Sequence, residues 1–86
     1  MHYSAQIRTG FCEWIDAGQP ETALIRTDQE PTECSARDLL VELCRCSGTL
    51  PAYYCSELGM PERTTYSEAA EVLLRETGGG GSLTAA

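Results

Sequence analysis

The segment of residues 35–46, with the sequence SARDLLVELCRC, constrains the fold of this chain more than any other. Its apolar residues recur at spacings of three and four positions, which places them on one face of an α-helix. These residues are Ala36, Leu39, Leu40 and Leu43. Ser35 is a residue type that caps a first helical turn, and Asp38 in that turn suits the positive end of the helix dipole. The segment is therefore predicted to be an amphipathic helix, which Gly48 ends by adopting a left-handed conformation.

The residues before this helix are predicted to form about three antiparallel strands. Residues 2–9 alternate apolar and polar side chains, as a half-buried strand does, and Gly10 follows as a turn or bulge. Residues 11–15 are aromatic and favour a second strand, and residues 21–27 fit a third. A polar connection over residues 28–32 then leads into the helix.

Two further helices are predicted after it. The first covers residues 51–58, with a proline in its first turn and Gly59 just past its end. The second covers residues 65–76, where Thr65 and Glu68 have the spacing of a capping box. The whole chain is therefore predicted to be a small single α+β domain, with N-terminal antiparallel strands followed by three short helices.

The domain limits follow from the length of the chain and from its glycines. With 86 residues, the chain has room for one domain with a core of modest stability. Residues 1–77 are assigned to this domain. Residues 78–86 are rich in glycine and low in complexity, so they are predicted to form a flexible C-terminal tail.

The chain is strongly acidic. Its net charge is −7, from 13 acidic residues against six arginines, and it contains no lysine. An acidic surface repels nucleic acid and attracts basic partners. A net charge of this size is also ordinary for a small soluble domain. Both interpretations stay open on charge alone.

The cysteines do not have the spacing of a metal site. Structural zinc sites usually take two C-x2-4-C pairs, whereas this chain has one C-x-C pair and single cysteines elsewhere. The cysteines are interpreted as small buried hydrophobes, and no metal or cofactor is predicted. Their odd number argues against a complete disulfide framework. The cysteines that cluster in one third of the chain are Cys34, Cys44, Cys46 and Cys55.

No pairing of a nucleophile with a base is recognisable in the sequence. The single histidine, His2, lies next to the first residue, and a serine or cysteine nucleophile needs an adjacent base. No glycine-rich phosphate loop precedes a helix. No catalytic residue is therefore assigned, and the chain is predicted not to be an enzyme.

The N-terminal sequence MHYSAQIRTGF is polar, unlike a signal peptide. No run approaches the roughly 20 apolar residues that a membrane span needs. The protein is therefore expected in the cytoplasm, where thiols stay reduced.

Residues 51–74, PAYYCSELGMPERTTYSEAAEVLL, resemble a helix-turn-helix motif, with a short helix, Gly59 in the turn and a second helix. The resemblance implies a DNA-binding regulator that uses residues 51–76. Arg63 and Arg75 in this segment are accompanied by glutamates, which would repel DNA phosphates. DNA binding is therefore an alternative function.

Three other resemblances concern the outline of the chain. The opening Met-x-Tyr-x-Ala-x-Ile, followed by predicted strands and a helix, resembles the start of HicB-type antitoxins. The short acidic chain is also similar to small phage-encoded anti-CRISPR proteins, which are often non-enzymatic. Residues 74–79 resemble the Gly-Gly tail of ubiquitin-like sulfur carriers, but here the chain continues past the glycines. None of these resemblances assigns a functional residue.

The favoured hypothesis is a small acidic, non-enzymatic protein that binds and inhibits or modulates another macromolecule. The partner would be a larger protein with a basic, nucleic-acid-handling surface, as for an anti-CRISPR or an antitoxin. The residues predicted to bind it are Glu13, Trp14, Asp16, Asp28, Glu30, Glu33, Asp38 and Glu42, with Trp14 as the anchor. Direct contact with nucleic acid or membrane is not expected. A homodimeric structural or assembly protein is a second alternative.

Overall fold

The computed structural model describes residues 3–27 and 30–76, so the predicted tail lies outside the described residues. Within these ranges a helix is followed by a β-hairpin and three further helices. The elements are α1 (Tyr3–Asp16), β1 (Thr22–Ile25), β2 (Thr32–Ser35), α2 (Ala36–Leu43), α3 (Ala52–Leu58) and α4 (Tyr66–Leu74). The α+β class is confirmed. None of the helices in these ranges has the length and apolar character that a membrane span requires.

Helix α1 takes the place of the two strands predicted over residues 2–9 and 11–15, so that prediction was wrong. The alternation of side chains in residues 2–9 covers too short a window to exclude a helix. Across the whole segment the buried residues recur at i, i+4, i+7 and i+8, which is one face of a helix. They are Ile7, Phe11, Trp14 and Ile15.

Gly10 lies inside α1, not in the turn or bulge that was predicted. A Cβ atom at this position would lie 3.2 Å from the carbonyl oxygen of Leu24, so α1 comes very close to the backbone of β1. Glycine lowers the intrinsic stability of a helix interior by roughly 0.5–1 kcal/mol relative to alanine. This residue therefore weakens α1 locally and permits its direct packing on the strand.

Strands β1 and β2 pair in an antiparallel register that runs from Thr22 opposite Ser35 to Ile25 opposite Thr32. The strand predicted over residues 21–27 is confirmed, with Ala23 and Ile25 buried on its inner face. Strand β2 was not predicted, because its sequence TECS is polar and its side chains are mostly exposed on both faces. Its pairing with β1 is what makes this segment a strand.

Helix α2 confirms the predicted amphipathic segment, but it ends at Leu43 with Cys44 as its C-cap. The next amides, of Arg45 and Cys46, donate to the carbonyls three residues earlier, so the last turn is tighter than an α-helix. Gly48 has a φ of 108°, yet it shapes the following loop and does not end the helix as predicted. The buried face of α2 consists of Leu39, Leu40 and Leu43.

Helices α3 and α4 lie within their predicted ranges. Gly59 ends α3 in the left-handed conformation, with a φ of 70°. The predicted capping box of α4 is present: Glu68 N–H donates to Thr65 Oγ1 at 3.1 Å, and Thr65 N–H donates to Glu68 Oε1 at 3.0 Å. The local signals at these helix ends were therefore sufficient to locate them.

One core joins these elements. Helix α2 packs against α1, α4 and the hairpin, and α3 packs against α1. The ring of Phe11 stacks on Trp14 with 5.8 Å between ring centroids, and meets Tyr66 edge-to-face at 6.3 Å. The aromatic contacts thereby connect α1 to the first turn of α4.

Replacing Thr65 by alanine is expected to lower the free energy of unfolding by about 1 kcal/mol, because the Glu68 amide loses its acceptor. Thr65→Ser keeps a hydroxyl acceptor and is expected to stay within about 0.5 kcal/mol of the wild type. Chemical denaturation followed by circular dichroism measures both variants. Equal stability of Thr65→Ala and the wild type would show that the capping box does not stabilise the domain.

Candidate interaction surface

The junction between β2 and α2 brings two predicted acidic residues to the same part of the surface. Strand β2 ends at Ser35 and α2 begins at the next residue, with Ser35 Oγ accepting the Asp38 N–H at 3.1 Å. Glu33 on the strand and Asp38 in the first helical turn are both exposed. Cys34 lies between them in the sequence and pairs with the buried Ala23 across the hairpin. Burial, then Asp38 and then Glu33 raise the pKa of the Cys34 thiol, so both carboxylates act on it.

Glu21 adds a third acid to this junction. Its carbonyl oxygen accepts the Ala36 N–H at 2.8 Å, which places the residue beside the start of α2, and it is exposed. It was not among the predicted partner-binding residues, because only the pairing of β1 with β2 brings it here. We call the group of Glu21, Glu33 and Asp38 the acidic corner.

Two other predicted acids lie next to arginines. Arg26 Nε lies 3.2 Å from Glu13 Oε1, and Arg45 Nη1 lies 3.9 Å from Glu42 Oε2. Exposed pairs of this kind contribute little to stability. They do offset the negative charge of these carboxylates, so Glu13 and Glu42 attract a basic partner less than an unpaired acid would.

Asp16 has a structural contact at the end of α1. Its Oδ2 accepts the hydroxyl of Tyr54 at 2.9 Å, which links α1 to α3. This hydrogen bond, followed by burial, raises the pKa of Tyr54 to about 12. Asp16 therefore stabilises the neutral form of the tyrosine.

The remaining predicted acids lie in the connection between the strands. Glu30 is exposed, and its carbonyl oxygen accepts the Thr27 hydroxyl at 2.9 Å. It lies at the end of the hairpin away from the acidic corner. Asp28 lies outside the described residues. The predicted set is thus divided among several places on the surface.

Trp14 occupies the core and not the surface. It is 4% exposed, and its Nε1–H donates to the Pro20 carbonyl oxygen at 2.6 Å. This burial leaves it almost no area for a partner, so the anchor role is not supported. The large apolar side chains that are exposed include Leu24, at 47%, and Tyr53, at 61%. Leu24 is of interest because it pairs with Glu33 across the hairpin.

All five cysteines are free thiols. The interpretation as buried hydrophobes applies fully to Cys46 and Cys55, while the others are half-buried. The described residues contain no group of three or more side chains that could hold a metal ion. His2 lies outside the described ranges. Burial raises the pKa of the thiols of Cys12, Cys34, Cys44 and Cys46, which keeps them protonated and poorly nucleophilic.

The segment that resembles a helix-turn-helix has a different packing. Helix α3 packs chiefly on α1 and α4 chiefly on α2, and the connection over residues 59–65 is longer than the usual turn of three or four residues. The exposed side of α4 includes Glu68 and Glu71. This geometry does not favour contact with DNA phosphates.

Comparison of the chain with protein-family models, with curated proteins and with solved structures gave no match. The resemblances to antitoxins and to anti-CRISPR proteins therefore stay predictions from the sequence.

The contact between Asp16 and Tyr54 predicts a specific pH dependence. Because the folded pKa of Tyr54 is raised from 10.0 to about 12, this contact stabilises the fold fully below pH 10 and loses that effect as the pH rises to about 12. Asp16→Asn is expected to move the Tyr54 pKa back toward 10, while Asp38→Asn leaves it unchanged. Titration of ¹³C-labelled tyrosine by NMR measures the pKa. A wild-type value near 10 would contradict the contact.

The Cys34 thiol reports on the acidic corner. Replacing Glu33 by Gln and Asp38 by Asn together is expected to speed alkylation of Cys34 at pH 8 by about twofold, because loss of the carboxylates lowers the thiol pKa. The double variant Glu57→Gln with Glu62→Gln removes the same charge elsewhere and is expected to leave the rate unchanged. Iodoacetamide labelling with mass spectrometry gives the rate at Cys34. Equal rates in both double variants would show that the two carboxylates do not act on this thiol.

Proposed function

We propose that this chain is a small acidic, non-enzymatic protein that binds a basic surface of another macromolecule and thereby inhibits or modulates it. The observation that carries the proposal is the acidic corner. Glu33 and Asp38 are exposed there, and neither forms an ion pair within the described residues. Their charge is therefore available to a partner.

The position of these acids on rigid elements supports a recognition role. Glu33 lies in a paired strand, and Asp38 lies in a helical turn that the Ser35 side chain caps. Because the backbone at both positions is already held in place, it loses little conformational entropy when a partner binds. Unpaired surface charges also speed diffusional encounter with a surface of opposite sign, over a range of about 8 Å at physiological salt.

The positive charge required of the partner's surface indicates what kind of protein the partner is. Extended basic surfaces are typical of proteins that bind nucleic acid. An acidic protein that covers such a surface would compete with nucleic acid, as expected for a phage-type inhibitor such as an anti-CRISPR or for an antitoxin. The five free thiols fit a reducing compartment such as the cytoplasm.

Charge reversal at the hairpin and junction tests the proposal. The triple variant Glu21→Lys, Glu33→Lys and Asp38→Lys is expected to slow association with the partner at least about tenfold at low salt. The matched control reverses Glu57, Glu62 and Glu71, which are also exposed, and is expected to change the rate much less. Circular dichroism checks that both variants are folded.

The partner itself is sought by a pull-down from the source cell at low and high salt, with identification by mass spectrometry. One basic partner that is lost at high salt supports the proposal, and its association rate is then measured for the variants. Binding that does not depend on salt, or equal rates for both triple variants, would contradict it. Recovery of the chain alone would favour the homodimeric assembly protein.

A further inference from the structure

The register of the hairpin identifies the backbone groups of β2 that face outward. The Ala36 N–H donates to the Glu21 carbonyl oxygen just outside the last strand pair. Because bonded and non-bonded pairs alternate in an antiparallel ladder, Leu24 and Glu33 form a non-hydrogen-bonded pair. The N–H and C=O of Glu33 therefore point away from β1, and so does the N–H of Ser35.

The two edges of the sheet differ in their surroundings. At the outer edge of β1, the Leu24 carbonyl oxygen faces Gly10, and α1 covers that edge. At the outer edge of β2, no further strand pairs with it in the parts of the chain that the structure describes. Unpaired N–H and C=O groups along such an edge are a template for an added strand.

The length of this template is limited on both sides. Pro31 has no N–H to donate, and α2 begins at Ala36. The outward groups between these limits are the C=O of Pro31, the N–H and C=O of Glu33, and the N–H of Ser35. They suit a short extended segment centred opposite Glu33.

The negative charge beside the outer edge of β2 determines which kind of extended segment can pair with that edge. A second copy paired through β2 would bring two acidic corners together, with strands about 4.8 Å apart, and like charges on neighbouring strands are destabilising. A basic side chain opposite Glu33 would instead form a favourable cross-strand pair. Leu24, which is 47% exposed on the same face as Glu33, offers apolar area beside it.

We infer that the free edge of β2 accepts an extended, basic segment of the partner as a third strand of the sheet. This inference rests on the proposed function for the sign of the partner's charge. It adds that recognition takes place through backbone hydrogen bonds as well as through the carboxylates. A partner segment that alternates arginine or lysine with β-branched residues favours the extended conformation and supplies positive charge opposite Glu33.

The test uses a synthetic peptide of alternating arginine and valine as the probe. Its control is the same peptide with all central amides N-methylated, which keeps the charge but removes the backbone donors. We expect the N-methylated peptide to bind at least about tenfold more weakly at low salt, by calorimetry or fluorescence anisotropy. The amide of Glu33 is expected to exchange its hydrogen more slowly when the unmodified peptide is bound.

A pair of variants separates the backbone from the charge. Glu33→Pro and Glu33→Gln both remove the carboxylate, but only proline removes the outward N–H, so Glu33→Pro is expected to bind the peptide about fivefold more weakly than Glu33→Gln. Circular dichroism checks the folding of both. If Glu33→Pro does not fold, the two peptides and the Glu33 amide exchange still decide the question in the wild type.

The outcomes distinguish this inference from the proposed function. Equal, salt-dependent binding of both peptides would overturn strand addition and leave the acidic surface as the recognition element. No binding of either peptide at low salt would contradict both. Slower exchange of the Glu33 amide at higher protein concentration without peptide would show that a second copy occupies the edge, which also overturns the inference.

Discussion

Burial of one face of α2 is the interaction on which the rest of the structure depends. Leu39, Leu40 and Leu43 are each 0% exposed, and full burial of one leucine side chain contributes roughly 1.5–3 kcal/mol. Because α2 contacts α1, α4 and both strands, this apolar face determines where those elements lie. An isolated helix as short as α2 is marginal in water, so the helix in turn depends on the elements that cover it.

The same packing arranges the charges at the surface. Among the described residues no charged side chain is buried, so their acids all lie at least partly in solvent. They differ in their neighbours, since Glu13 and Glu42 lie beside arginines and Asp16 holds a tyrosine hydroxyl. The acidic corner lacks such compensation among these residues. This contrast distinguishes Glu33 and Asp38 from Glu13, Asp16 and Glu42.

The differences between the predicted and the observed fold have a common cause. The segment of α1 satisfies a period of two over short windows and a period of 3.6 over its whole length, and its aromatic residues favour strands. A glycine at the centre of the segment suggests a turn, but in the structure Gly10 allows α1 to pack closely on the backbone of Leu24. Strand β2 is polar and short, so it lacks a signal of its own. In both cases the contacts between distant residues determine the structure.

By itself the sequence determined α2, α3 and α4 and the acidic character of the chain, because helix caps and apolar spacing act within a few residues. The tertiary structure decided the helical state of α1, the pairing of β2 and the burial of Trp14. It also decided which acids have a partner, since Glu13 meets Arg26 and Asp16 meets Tyr54 only in the folded chain. These outcomes depend on residues far apart in the sequence, whose proximity no local pattern encodes.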